Sequence, residues 1–148
     1  MSNQPAAPSV LSAATVERIA RDLERHGLKP TRQRLLIAGL LLDRPRHMTA
    51  EQILAQLNAG GARVSKATVY NTLKALTGFG LLRQINLGGD HAVYDSTCTP
   101  HHHFHDEDTG ELIDIPAGEV DFLRLPQPPA GRESTDVEVV IRIRRSRT

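Results

Sequence analysis

The sequence predicts an α+β chain in two parts, a helical N-terminal half closed by a strand hairpin and a small C-terminal α/β half. Three observations carry that expectation. Between Ser12 and Gly80 four apolar patterns recur at helical spacing, and two short strand runs flank Gly88-Gly89-Asp90. Charge changes sign at the same place: residues 1–88 hold 12 Lys+Arg against 5 Asp+Glu, and residues 89–148 hold 6 against 12. Beyond it, Pro-His-His-His-Phe-His at Pro100–His105 concentrates four of the seven histidines ahead of β-branched runs. A chain of 148 residues can build two modest cores. The expected divisions are a disordered tail at 1–10, a first domain at 11–96 and a second at 97–148.

Each element has its own signal. Met1–Val10 carries Pro5, Pro8 and small residues, the composition of a tail. Ser12–His26 places Val16, Ile19, Ala20 and Leu23 at helical spacing, and Gly27 stops it. A second helix is expected from Thr31 to Leu42, with Pro30 before it and Pro45 beyond. Its Leu35, Leu36, Ala38, Leu40, Leu41 and Leu42 are apolar nearly all round, which predicts deep burial. Thr49-Ala-Glu-Gln resembles a capping box and starts a third helix that runs to Asn58, before Gly60-Gly61. Ser65 caps a fourth, ending near Gly78 or Gly80.

Strands are expected at Leu81–Leu87 and Ala92–Asp95, turning at Gly88-Gly89-Asp90. Helices followed by such a hairpin have the order of a winged helix-turn-helix. In the remainder, strands are expected at His102–His105, Glu111–Ile115 and Asp136–Ile143, with a short helix near Gly118–Leu123 and a rigid connector at Pro126–Gly131. So few strong strand runs cannot close a core alone, so this half is expected to dimerise.

Composition removes several classes. Cys98 is the single cysteine, which excludes an intramolecular disulfide and any Cys-rich structural zinc site. The N-terminus lacks a basic-then-apolar pattern and no apolar run approaches a membrane span, so a cytoplasmic protein with no membrane partner is expected.

The basic half reads as a partner for a polyanion. On the fourth helix Val69, Leu73, Leu76 and Phe79 form an apolar stripe, leaving Ala67, Thr68, Tyr70, Asn71 and Lys74 outward. Asn can pair with adenine, small groups and methyls meet thymine, and Lys meets phosphate. Lys29, Arg32, Arg34, Arg63 and Lys66 add positive charge around it. An ordinary amphipathic helix has the same stripe. The hairpin and the charge of the whole half favour double-stranded DNA.

The histidine run reads as metal chemistry. Neutral imidazole is the commonest ligand for borderline metals, and on a strand His103 and His105 share one face while His102 points to the other. The alternative is a solvated His-rich loop.

The strings His26-Gly-Leu-Lys-Pro-Thr-Arg-Gln-Arg, His47-Met-Thr-Ala-Glu, Ser65-Lys-Ala-Thr-Val-Tyr-Asn-Thr-Leu and His101-His-His-Phe-His, in that order, closely resemble the ferric uptake regulator (Fur) superfamily. The resemblance implies a homodimeric, metal-responsive transcription factor: a winged helix that binds DNA, and a C-terminal α/β domain that dimerises. It implies base reading by Tyr70 and its neighbours, Lys29 in an A·T-rich minor groove, and DNA contacts from Arg32, Lys66, Thr68, Asn71 and Lys74 on a palindromic operator. It also implies a regulatory metal site joining the domains. The matching residues are His47, Asp95, His103 and His105, a set suited to iron, manganese or zinc. Of the family's second site, His102 matches one ligand and Asp121 is a plausible second, but Phe104 stands where an Asp is needed. No His lies near Asp136. That site is expected to be degraded.

Missing Cys-x-x-Cys pairs, the His-His-His-Phe-His run and the ending with Leu-Pro-Gln-Pro-Pro-Ala-Gly resemble the iron response regulator (Irr) branch. That resemblance implies a repressor of iron and haem homeostasis that senses haem through His101, His102, His103 and His105, with a haem donor protein as a further partner. The Cys-Pro haem motif of some members is absent, since Thr99 follows Cys98; a small, inert Cys98 is expected. The alternative is a conventional Fur-type repressor sensing iron, manganese or peroxide. A metallohydrolase would need an open metal position, a general base and a cleft. The chain has no helical His-Glu-x-x-His and a C-terminal half too small for a cleft, so no enzyme activity is expected.

Overall fold

The computed structural model describes residues 12–88 and 92–147. The chain divides into two compact units, Met1–Cys98 and Thr99–Thr148. The expected tail at 1–10 and the tip of the expected turn, Gly89-Asp90, lie outside the described residues.

In the first unit, α1 (Ala13–Arg25), α2 (Arg32–Leu42), α3 (Ala50–Ala59) and α4 (Lys66–Gly78) follow in order. Each starts where a hydroxyl side chain takes up a free backbone N–H: Ser12, Thr31, Thr49 and Ser65 accept from Thr15, Arg34, Gln52 and Thr68. At Thr49 the capping box is complete, since Gln52 Oε1 also accepts from the Thr49 N–H at 2.9 Å. The core joins Ile19 and Leu23 of α1, Ile37, Ala38 and Leu41 of α2, Ile53 and Leu57 of α3, and Val69, Leu73 and Leu76 of α4.

The sheet of this unit has the order β1-β3-β2, all antiparallel, from β1 (His47–Thr49), β2 (Arg83–Asn86) and β3 (Ala92–Asp95). β2 is shorter than the expected Leu81–Leu87 because the N–H groups of Leu81 and Leu82 turn back to the Leu76 carbonyl and close α4, with Gly80 at φ +76. β1 carries no sequence signal of its own. Three residues are too few to show a period, and pairing with β3 makes them a strand.

The second unit is a three-stranded sheet of order β5-β4-β6, with β4 (His101–Asp106) antiparallel to β5 (Leu112–Pro116) and parallel to β6 (Val140–Ile143). Two expectations are corrected. The helix near Gly118–Leu123 is a single 3-10 turn at Ala117–Glu119; Pro116 offers it no side-chain cap, and Val120 is already extended. The last strand begins at Val140 instead of Asp136, because the Val139 N–H donates to the His102 side chain, at 2.9 Å, and not to a neighbouring strand. Among the described residues of this unit, Leu112 and Ile115 are the buried apolar ones, while Ile113 and Ile141, flanking Phe104 in the same row, remain exposed.

Candidate nucleic-acid interface and metal centre

In α4 the four-residue rhythm divides two chemistries. Val69, Leu73 and Leu76 are fully buried, while Lys66, Ala67, Tyr70, Asn71 and Lys74 are exposed and Thr68 is half-buried. Phe79, expected in the apolar stripe, is half-buried against the His26 ring, centroid to centroid 4.8 Å. Tyr70 is held at both ends: its hydroxyl donates to Glu51 Oε1 at 2.7 Å, and the Lys66 ammonium lies 5.8 Å from its ring centre. Beside this face, Asn71, Lys74 and Thr77 of α4, Gln84 of β2 and Tyr94 of β3 line a shallow groove with Tyr70. The Glu51 carboxylate, chiefly through that hydrogen bond, pushes the Tyr70 phenol above its usual range, so it remains a donor.

Lys29 and Arg32 are exposed where α2 begins. The Lys29 carbonyl accepts from Arg34 Nη1 at 2.9 Å and from the Thr31 N–H, which turns the chain into the helix. These cations, with Arg63 and Lys66, give the unit a basic surface.

Of the expected metal ligands, His47 and Asp95 are cross-strand partners on β1 and β3. Two bonds fix their strand ends: the Arg46 N–H donates to Ser96 Oγ, and the Ser96 N–H to the Arg46 carbonyl, both at 3.0 Å. Asp95 also accepts from the Thr97 N–H at 2.8 Å. Cys98 is exposed; partial desolvation, then the Asp95 carboxylate, pushes its thiol above the usual range, the opposite of what a reactive thiolate needs.

In the second unit, strand alternation puts His101, His103 and His105 on one face of β4 and His102 and Phe104 on the other. Asp114 of β5 stands opposite His103 in the ladder. His103 Nε2 lies 3.2 Å and His101 Nε2 3.7 Å from the same oxygen, Asp114 Oδ1, and the three ligand atoms fall within 4.8 Å of one another. His101 Nδ1 bonds the Thr99 carbonyl at 2.7 Å. A carbonyl only accepts, so the neutral ring carries its proton on Nδ1 and its lone pair on Nε2. Two imidazole nitrogens and a carboxylate oxygen form a donor set that fits a divalent ion of the zinc, iron or manganese class.

Sequence reasoning missed Asp114, and it assigned His101 only to haem. Asp114 is an exposed acid within an alternating strand, and only its cross-strand partner marks it. His105 lies outside this group, and its buried Nδ1 has no hydrogen-bond partner among the described residues.

The second-site residues do not converge among the described residues. His102 Nδ1 accepts from the Val139 N–H, and its ring meets Phe122 edge-on at 5.9 Å. That bond places the ring proton on Nε2, so His102 stabilises the sheet as a packed core histidine. Asp121 is exposed, as is Asp136, which accepts from the adjacent Val137 N–H.

The model of the ferric uptake regulator family matches residues 25–128. The ferric uptake regulation protein of Pseudomonas fluorescens is 35% identical over 105 residues, which cover 70% of this chain and 85% of the relative. The peroxide-responsive repressor PerR of Staphylococcus aureus is 27% identical over 100 residues, 68% of either chain. The solved structure of the ferric uptake regulator from Pseudomonas aeruginosa with manganese superposes with a TM-score of 0.65 at 30% identity, covering 87% of this chain and 98% of that one.

Proposed function

This chain belongs to the ferric uptake regulator family, and from that premise we propose that it is a homodimeric, DNA-binding transcriptional repressor whose operator affinity responds to a divalent metal, iron, manganese or zinc. The observation that carries the reading is the outward face of α4, where Tyr70, Asn71 and Lys74 stand together beside the strands of the hairpin. That face has the chemistry of major-groove readout, and the net positive charge of its unit supplies phosphate attraction. Lys29, Arg32, Lys66 and Thr68 complete the proposed DNA contacts. Exposed Ile113 and Ile141, with half-buried Phe104 between them, are apolar surface that a second copy can cover, and a dimer suits a palindromic operator.

His101, His103 and Asp114 are the proposed metal ligands that the geometry favours; His47, Asp95 and His105 are proposed on the family pattern. A bound divalent ion supplies a fixed positive charge shared by these lone pairs, so ligand groups that would otherwise repel are held in one arrangement. A shift of a few kcal/mol between two such arrangements is enough to switch DNA binding. The test is operator binding by metal-free protein with manganese(II), zinc(II) or anaerobic iron(II) added singly, random DNA serving as reference. At least a tenfold change confined to the operator is expected. Equal binding with and without every metal would overturn the metal response.

A second reading, haem sensing as in the iron response regulator branch, is favoured by His105, whose Nδ1 has no hydrogen-bond partner among the described residues. His101, His102 and His103 are buried, so haem ligation through them requires the strand to open. Haem titration separates the readings. A haem sensor leaves the operator on adding haem, and replacing His103 and His105 by Ala blunts the release. Loss of binding on adding hydrogen peroxide to metal-loaded protein would instead mark a peroxide sensor.

A further inference from the structure

Glu138 lies just before β6, and the polar bonds around it are directed at the histidine strand. The Val139 N–H donates to His102 Nδ1 at 2.9 Å, and the Val139 carbonyl accepts from the His103 N–H at 3.1 Å. Pinned on both sides of one residue, the chain delivers the neighbouring Glu138 carboxylate to the His103 ring, Oε1 to Nδ1 at 3.1 Å. The His103 side chain is fully buried, and that of Glu138 is 21% exposed. Two carboxylates therefore flank opposite nitrogens of one ring: Glu138 at Nδ1 and Asp114 at Nε2, 3.2 Å away.

One imidazole offers one nitrogen to a given ion, so an ion held with Asp114 must take Nε2. Glu138, on the far edge of the ring, is outside that ion's reach through His103. An ionised carboxylate accepts hydrogen bonds and cannot donate one. Asp114 is an acceptor as well, so the two sides of the ring become different only when an ion joins Asp114 at Nε2; Glu138 then holds the proton that stays on Nδ1. His101 is held by a different acceptor, the Thr99 carbonyl at its Nδ1. Two independent acceptors thus turn two Nε2 atoms towards the Asp114 side.

We propose that Glu138 is a positioning residue of the metal centre, fixing the orientation of the His103 ring so that Nε2, on the Asp114 side, is the nitrogen offered to the ion and Nδ1 keeps its proton for Glu138. The inference rests on the metal-site reading given above. Carboxylate partners of metal-ligating histidines contribute on the order of 10–100-fold in metal affinity. No sequence signal marks Glu138. It lies 35 residues from its partner, in a run that reads as alternating strand.

The test uses full-length, metal-free protein and manganese(II) alone, with affinity measured by competition against a chelator. Glu138→Ala is expected to weaken binding by roughly 10–100-fold, and Glu138→Gln, which keeps an acceptor oxygen, by less. In a second measurement, on zinc(II)-loaded protein, the nitrogen-15 shifts of His103 are expected to show the metal on Nε2 and the proton on Nδ1 in the wild type, and a loss of that ordering in Glu138→Ala. Manganese affinity of Glu138→Ala within about twofold of wild type would overturn the proposal, as would a wild-type His103 that holds zinc through Nδ1. Asp114→Ala separates this failure from failure of the parent reading. If Asp114→Ala binds manganese as well as wild type does, the site itself is wrong and the role of Glu138 falls with it. If Glu138→Ala does not fold, the Glu138→Gln affinity and the nitrogen through which wild-type His103 holds zinc decide.

Discussion

Tyr70 depends on its surroundings for its direction. Glu51 holds its hydroxyl and Lys66 lies against its ring, so an exposed side chain on α4 has a preferred pose before any DNA arrives. Pre-set side chains lose less entropy on binding. Tyr70→Ala is expected to cost about 1–3 kcal/mol on the operator and much less on random DNA, measured by titration at fixed salt. Equal losses on both would remove Tyr70 from base readout. Lys29→Ala is expected to weaken both, and to lower the salt slope of log K by about 1. Cys98 makes a contrasting case. Its raised thiol predicts slower alkylation by iodoacetamide at pH 8 than a free cysteine, with Cys98→Ser leaving manganese affinity unchanged. A faster reaction would contradict the assignment of Cys98 as inert.

At the scale of elements, the helices were readable because their signals are local. A hydroxyl N-cap and a 3.6-residue apolar rhythm lie within one segment, and the four helices start one residue after Ser12, Thr31, Thr49 and Ser65, where the sequence opens them; only Thr49 and Ser65 are expected as caps. Ser65→Ala removes the acceptor for the Thr68 N–H at the start of α4 and is expected to cost about 1 kcal/mol, seen as a melting point lower by roughly 4–8 °C. Leu73→Ala, at a fully buried position, is expected to cost about 2–5 kcal/mol and to lower the denaturant midpoint without changing the slope. The strands were less readable. β1 exists only through its pairing with β3, and β6 starts late because one side chain takes a backbone N–H. The expected helix after β5 fails for want of a cap and of burial. Leu123 and Leu125 are exposed, and Phe122 reaches only the edge of the His102 ring, too little to hold a turn of helix in place.

At the scale of the whole molecule, the change of charge sign falls ten residues before the division into units, at Cys98–Thr99. The basic unit has a continuous apolar core and the acidic one has almost none. Cutting the chain after Cys98 is therefore expected to leave a folded, monomeric unit that melts cooperatively. Its operator affinity should fall steeply, because a palindrome rewards two linked readers. Sedimentation and DNA titration of the truncated chain check both statements. A truncated monomer that binds the operator as tightly as the full chain would defeat the dimer argument.

What the sequence by itself determined lies within single segments: the four helices, the caps at Thr49 and Ser65, the two strands β2 and β3, the polar face of α4 and the alternation that puts His101, His103 and His105 on one side. It also carried the family, through motifs whose order survives without coordinates. The tertiary structure decided which of these side chains meet. Asp114 and Glu138 became neighbours of His103 through strand pairing, one from β5 and the other from the approach to β6. His102 Nδ1 is taken up by a backbone N–H from Val139, a residue 37 positions away. Register and tautomer are properties of pairs, and a pair distant in sequence leaves no period in either partner. That is why the histidines could be seen from the start, while the carboxylates that stand beside them could not.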